Sequence, residues 1–91
     1  KQQYLYVIRP ENSNKVKIGI SKNPAKRLNA LQTANADKLY ISLVLKTNDL
    51  AINEESRMHR YFKERRLNGE WFRDIDDDEI MHAVGNRAES L

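Results

Sequence analysis

The chain opens in strand rhythm. In Tyr4–Ser21 (YLYVIRPENSNKVKIGIS) a first β-prone run leads out through Val7 and Ile8. Val16, Ile18 and Ile20 then alternate with Lys17, Gly19 and Ser21, the period of two that marks a strand with one buried and one open face. Pro10, Asn12, Ser13 and Asn14 supply turn chemistry between the runs, so the stretch predicts a hairpin. A hairpin this short needs later helices packed on it. Asn23-Pro24 is a helix start, Asn as N-cap and Pro at the first helical position. Ala25, Leu28, Leu31 and Gln32 follow at helical spacing with Arg27 on the flank, and the pattern fades at Thr33-Ala34-Asn35. Leu39–Lys46 (LYISLVLK) predicts a third strand, its unbroken apolar run fitting a position covered on both faces or inside the sheet.

The longest predicted helix starts near Asn48-Asp49 and runs to about Arg66. Its stripe is Ala51, Met58 and Phe62, with Tyr61 alongside, and the position that completes it is Glu55. Glu54 points about 100° away on helical geometry, so Glu55 is the one carboxylate expected on the inward face. Arg57, Arg60, Lys63 and Arg66 fall on faces expected to stay wet. Gly69-Glu70-Trp71-Phe72 reads as a turn into a short extended piece whose aromatic pair caps the core. Asp76 and Glu79 form a capping box for a last helix through Ile80, Met81 and Val84. Asn86–Leu91 reads as a frayed end or linker.

Composition narrows the class. The 91 residues are 40% hydrophobic and 32% charged, the profile of one globular domain with one modest core. The core is expected over about residues 4–73, with an acidic helix and tail over about 74–91. No apolar run approaches the ~20 residues of a membrane span, and no secretory signal is visible. The absence of cysteine excludes disulfides, thiolate metal sites and a cysteine nucleophile, and suits a reducing cytoplasm. The chain begins at Lys1 rather than Met, as a piece of a longer protein would. The net charge of +3 conceals an asymmetry: 15 Lys/Arg against 7 Asp/Glu through Arg73, then 1 Arg against 6 acids. A basic body fits either a polyphosphate partner or a merely solvated surface.

Singly, the polar candidates have structural explanations. Tyr4 and Tyr6 are good strand formers, and Lys17 fits the wet face of its strand. Arg27 and Glu55 fit a salt bridge. His59 lies one turn after Glu55 on the same helix face, but two ligands do not make a zinc site. Helix capping accounts for Asp76-Asp77-Asp78, and Ser21 has no His/Asp arrangement near it.

Jointly, the pattern is more specific. Tyr4-Leu5-Tyr6, then KIGIS-x-x-P-x-x-R-L-x-x-L-Q-T (Lys17–Thr33), E-x-x-x-H-x-x-F (Glu55–Phe62) and GEWF (Gly69–Phe72) resemble the GIY-YIG nuclease superfamily. The closest likeness is to its phage-type branch, small domains in phage T5 and related viral and bacterial proteins. The resemblance spans about Tyr4 to Arg73. It implies an α+β fold with a three-stranded antiparallel sheet flanked by helices, and metal-assisted hydrolysis of a DNA phosphodiester. It places water activation on Tyr6, phosphate neutralisation on Arg27 and one divalent cation, Mg²⁺ or Mn²⁺, on Glu55. His59 is implied as a second base or as an orienter of Glu55. Lys17, Lys22, Lys26 and Arg27 are the cations expected to meet DNA. Two departures stand out: Tyr4 replaces the glycine of the first tripeptide, and Lys17 replaces the tyrosine of the second. Tyrosine, with a pKa of about 10, needs cationic neighbours to act as a base, and Lys17 and the metal would be those neighbours. The expectation is therefore a DNA endonuclease domain of a bacterial or phage-infected cytoplasm, joined to further domains or to a second copy. Its rivals are a non-catalytic nucleic-acid-binding module of the same fold and a protein-interaction domain.

Overall fold

Residues 2–91 are described by a computed structural model. The expected hairpin pairs β1 (Tyr4–Pro10) with β2 (Lys15–Ser21) in antiparallel register, Tyr6 opposite Gly19 and Ile8 opposite Lys17. The first helix, α1 (Pro24–Thr33), starts as the sequence dictates, with Asn23 accepting from the Lys26 amide and Pro at its start. β3 (Leu39–Thr47) lies on the far side of β1. Next come α2 (Ala51–Tyr61), the short strands β4 (Arg66–Asn68) and β5 (Trp71–Arg73), α3 (Asp77–Val84) and β6 (Ala88–Ser90).

The sheet is the first correction. It has six antiparallel strands in the order β4-β5-β2-β1-β3-β6, not three. The class remains α+β. The extra strands are three residues each, too short for an alternation to show in the sequence. They extend the hairpin side through the GEWF segment and the β3 side through the tail. Residues 86–91, expected as a linker, thus include a strand in which Thr47 faces Ala88 and Leu45 faces Ser90.

Both faces of the sheet are covered, so the hairpin has no open face. Leu5, Val7, Val16 and Ile18 join Met58, Phe62, Ile80 and Val84 in the larger core beneath α2 and α3. Tyr6, Ile8 and Leu39 form a smaller cluster against Leu28, Leu31 and Ile41 beneath α1. β3 serves both, by way of a bulge. Its register skips Ser42, since Val7 faces Leu43 while Ile8 faces Ile41. One extra residue reverses the side to which the following residues point. Leu39 and Ile41 therefore face α1 while Leu43 and Leu45 face the other core, which accounts for the unbroken apolar run. The bulged Ser42 hydroxyl accepts from Arg9 Nε and donates to Asp77 at the start of α3.

α2 ends at Tyr61, short of the expected Arg66. Phe62 is buried, and a 3₁₀ turn (Lys63–Arg65) redirects the chain while Arg65 forks onto Glu79 at 2.8 and 3.1 Å. α2 also carries two inward acids rather than one. Glu54 is fully buried, with Arg57 at 2.7 Å and Arg87 at 3.0 Å on its carboxylate. An inward stripe at least 100° wide admits both i+3 and i+4, and Arg87 returns from the tail to neutralise the acid so admitted. Arg57, expected to stay wet, is half-buried on the same carboxylate. Arg87→Ala leaves a buried charge with one partner. It is expected to cost about 2–3 kcal/mol, read as a lower urea midpoint at unchanged m-value. No helix among the described residues is long and apolar enough to cross a membrane.

Candidate active site

β5 begins at Trp71, opposite Lys17, and the site lies just before that start. There the edge of β2 is exposed to side chains from two other elements. The Ile18 amide still donates to the Glu70 carbonyl at 3.0 Å, but its own carbonyl has no further strand residue to pair with. His59 fills that vacancy from α2, its Nε2–H donating to Ile18 O at 2.9 Å, with its ring 5.0 Å from Phe72. That bond fixes Nε2 as a donor, so His59 ties α2 to β2. Glu55, one turn earlier, is thereby held at the strand end. The contact made by His59 is thus with the β2 backbone.

Tyr6 arrives from the sheet. Its partner Gly19 has no side chain, and the phenol lies across it. A Cβ there would sit 2.5 Å from Tyr6 Oη, 2.7 Å from Tyr6 Cζ and 2.7 Å from Glu70 Oε1. Glycine is thus required by close approach, with two polar side chains converging above its Cα. Lys17, on the same side of β2, is only 9% exposed, its Nζ 3.2 Å from Glu70 Oε1 and 5.3 Å from the Trp71 ring centre. The expected wet lysine is therefore inside the site and already paired. Tyr4, next to the site in sequence, is half-buried at the start of β1.

Arg27 comes from the other direction. It is exposed on α1, makes no ion pair among the described residues, and lies close enough to Tyr6 Oη to act on its charge. It also lines a groove of about 450 Å³ with Ser21, Lys22, Asn23 and Lys26. Lys22 and Lys26 are exposed too. Tyr6, Lys17, Arg27 and Glu55 are thus brought together, Lys22 and Lys26 flank them, and His59 supports them from behind. Glu70 is the site residue that sequence reasoning did not single out. Its one signal was an acid between a turn glycine and an aromatic pair, in the GEWF motif.

The electrostatics run opposite to what a tyrosine base needs. Burial pushes the Tyr6 phenol up to about 12, with Glu70 and Glu55 adding to the rise and Arg27 opposing it. Burial likewise pushes the Glu55 carboxyl up to about 7, reinforced by the Glu70 carboxyl beside it and opposed by Lys17. Tyr6 Oη and Glu55 Oε2 are both buried with no hydrogen-bond partner among the described residues. Buried polar atoms are ordinarily paired, so these two, with Arg27 near the phenol and Glu70 near the carboxyl, are open to a further partner. Glu55 Oε2 suits a hard divalent cation. No group of three or more His, Cys, Asp or Glu gathers among the described residues, so such an ion would take most of its ligands from water and phosphate, as Mg²⁺ does.

The Glu55 shift has a signature. Its pKa is raised in the folded protein, so the proton it retains stabilises the fold fully below its ordinary value near 4.5. That contribution is lost as pH climbs through about 7. In chelator, stability is expected to fall between these limits by up to about 1.4 kcal/mol per pH unit relative to Glu55→Gln. Thermal melts of both proteins across that range check it.

No curated protein and no solved structure matches the chain, whereas the T5orf172 domain matches residues 3–86. That match takes in every residue of the site and all but the last strand of the sheet. The chain belongs to the T5orf172 domain family.

Proposed function

We propose that this domain is a divalent-metal-dependent DNA endonuclease of the GIY-YIG type, hydrolysing phosphodiesters by water attack without a covalent enzyme intermediate. The observation that carries this reading is the pair of buried oxygens without partners among the described residues, Tyr6 Oη and Glu55 Oε2, near an exposed arginine that lines a groove with Lys22 and Lys26. Membership in the T5orf172 family supports a nucleic-acid-related role, and the motif resemblance supports hydrolysis.

Each residue then has a task. Lys22 and Lys26 hold flanking phosphates of the strand along the groove, where cations gain affinity by releasing counterions. Arg27 forks onto non-bridging oxygens of the scissile phosphate, a planar donor pair matched to the charge that grows during attack. Once its own proton has passed to solvent water, Tyr6 Oη accepts a hydrogen bond from the attacking water. It takes that water's proton as the water oxygen bonds to phosphorus, while the P–O bond to the leaving sugar oxygen breaks and that oxygen takes a proton from solvent. With its pKa raised to about 12 by burial and then by Glu70 and Glu55, the resting phenol keeps its proton and the site is at rest. A divalent cation at Glu55 would supply the positive charge that reverses this bias and stabilises the phosphate. Lys17 sets the position of Glu70, and His59 that of Glu55.

Incubation with supercoiled plasmid, with and without Mg²⁺, tests the reading beside a gel shift across salt. Cation-dependent nicking with steeply salt-dependent binding is expected. Binding with no cleavage under any divalent cation would leave a nucleic-acid-binding module, and no affinity at low salt would leave an interaction domain.

A further inference from the structure

Glu70 has no role in the functional reading beyond pairing with Lys17, yet it is built into the centre of the site. Its backbone carbonyl is fixed by the Ile18 amide, which sets the start of its side chain to within a strand's precision. Its Oε1 reaches the bare Cα of Gly19, the one point on β2 where a side chain would exclude it. Tyr6, fully buried, aims an unpartnered hydroxyl at the same point. The Glu55 carboxyl, one turn before His59 on α2, is close enough to Glu70 and Lys17 to feel both charges, and its Oε2 is buried and unpartnered among the described residues.

Two carboxylates driven together in a half-buried setting repel each other unless a proton or a cation lies between them. A fold that needed Glu70 only as a counterion for Lys17 would gain nothing from bringing it against Glu55. The positive group now facing Glu70 is the Lys17 ammonium, 3.2 Å from Glu70 Oε1 and braced on the Trp71 ring. It is a monovalent charge on a flexible stem. A hard divalent ion with two carboxylate oxygens and several waters is the common arrangement for Mg²⁺ and Mn²⁺. We propose that Glu70 is a second protein ligand, so that Glu55 and Glu70 together hold one divalent cation beside Tyr6, and that Lys17 is the internal cation occupying this place until the metal arrives. The proposal rests on the metal-dependent reading above and changes it in one respect: the site has two carboxylate ligands, from α2 and from the turn before β5, instead of one.

Binding of Mn²⁺ to the full chain, measured by calorimetry without DNA, tests the proposal independently of turnover. The wild type is expected to bind one ion. Glu70→Gln and Glu55→Gln, near-isosteric and uncharged, are each expected to weaken binding by ~10-fold or more. Glu70→Asp, which keeps the charge and shortens the reach, should fall between. Lys17→Met should tighten binding several-fold by removing the competing cation. Circular dichroism melts of each variant establish that it is folded. If Glu70→Gln binds Mn²⁺ within twofold of wild type while Glu55→Gln does not bind, Glu70 is only the counterion of Lys17 and the single-carboxylate site stands. If the folded wild type binds no Mn²⁺ at millimolar concentration, the metal-dependent reading and this proposal both fail.

Discussion

Arg27→Ala is expected to leave the fold intact and cut DNA cleavage by ~10²–10³-fold, the usual cost of removing one preorganised donor from a developing oxyanion. The two halves of this result have separate causes. Arg27 is exposed and makes no ion pair among the described residues, so its removal leaves no buried partner stranded, and stability should stay within about 0.5 kcal/mol. The same freedom leaves its guanidinium available to a phosphate. It is also the one group from α1 that opposes the upward shift of Tyr6, so its loss leaves the phenol more firmly protonated. Arg27→Lys keeps the charge without the planar fork and is expected to restore only part of the activity. Single-turnover cleavage rates beside urea unfolding of the three proteins separate chemistry from stability. A large loss of stability in Arg27→Ala would mean that the arginine is structural.

Gly19→Ala is expected to be as damaging by an unrelated route. The added methyl would lie 2.5 Å from Tyr6 Oη and 2.7 Å from Glu70 Oε1. Tyr6 is fully buried among Ile8, Leu39 and their neighbours and has no room to withdraw, so either the strand or the phenol must shift. Overpacking of this kind costs about 1–3 kcal/mol, and a displacement of about 1 Å in a reacting group costs about 10²-fold in rate. Gly85→Ala is the matching control. Gly85 has φ +58 with open space around it, so alanine there strains the backbone far from the site. A loss of stability with cleavage retained is expected for Gly85→Ala, and a loss of both for Gly19→Ala. Equal cleavage by the two variants at matched folded fraction would remove Gly19 from the site.

What could be read from the sequence, and what could not, follows from the range over which each signal acts. The hairpin, the Asn23-Pro24 start of α1 and the Asp76/Glu79 capping box are written within a few residues, and each is present in the structure. The three short strands are not, because three residues carry no periodicity. The bulge at Ser42 exists only in the register between β1 and β3, so an apolar run that serves two cores looked like one continuous strand face. Glu54 was passed over because its neutralising partner, Arg87, is 33 residues away.

The site divides in the same way. Tyr6, Lys17, Arg27 and Glu55 were named from motif spacing, and the structure gathers all four. Whether Lys17 was wet could not be read from alternation, because α1 closes the face that alternation left open. Glu70 could be noticed only by knowing that β5 pairs with β2, which sets Trp71 opposite Lys17 and delivers the next acid to Gly19. The raised pKa of Tyr6 comes first from its burial and then from two acids that are 15 residues apart in sequence and both near it in space.

The central claim is that Tyr6, Arg27 and Glu55 form one hydrolytic centre acting on DNA. The most direct measurement is the rate of plasmid nicking in Mg²⁺ by wild type and by Glu55→Gln, compared at equal DNA occupancy fixed by gel shift. Wild-type cleavage that chelator abolishes is expected, with a loss of ~10²-fold or more in Glu55→Gln and DNA binding retained. Cleavage by Glu55→Gln at the wild-type rate would contradict it.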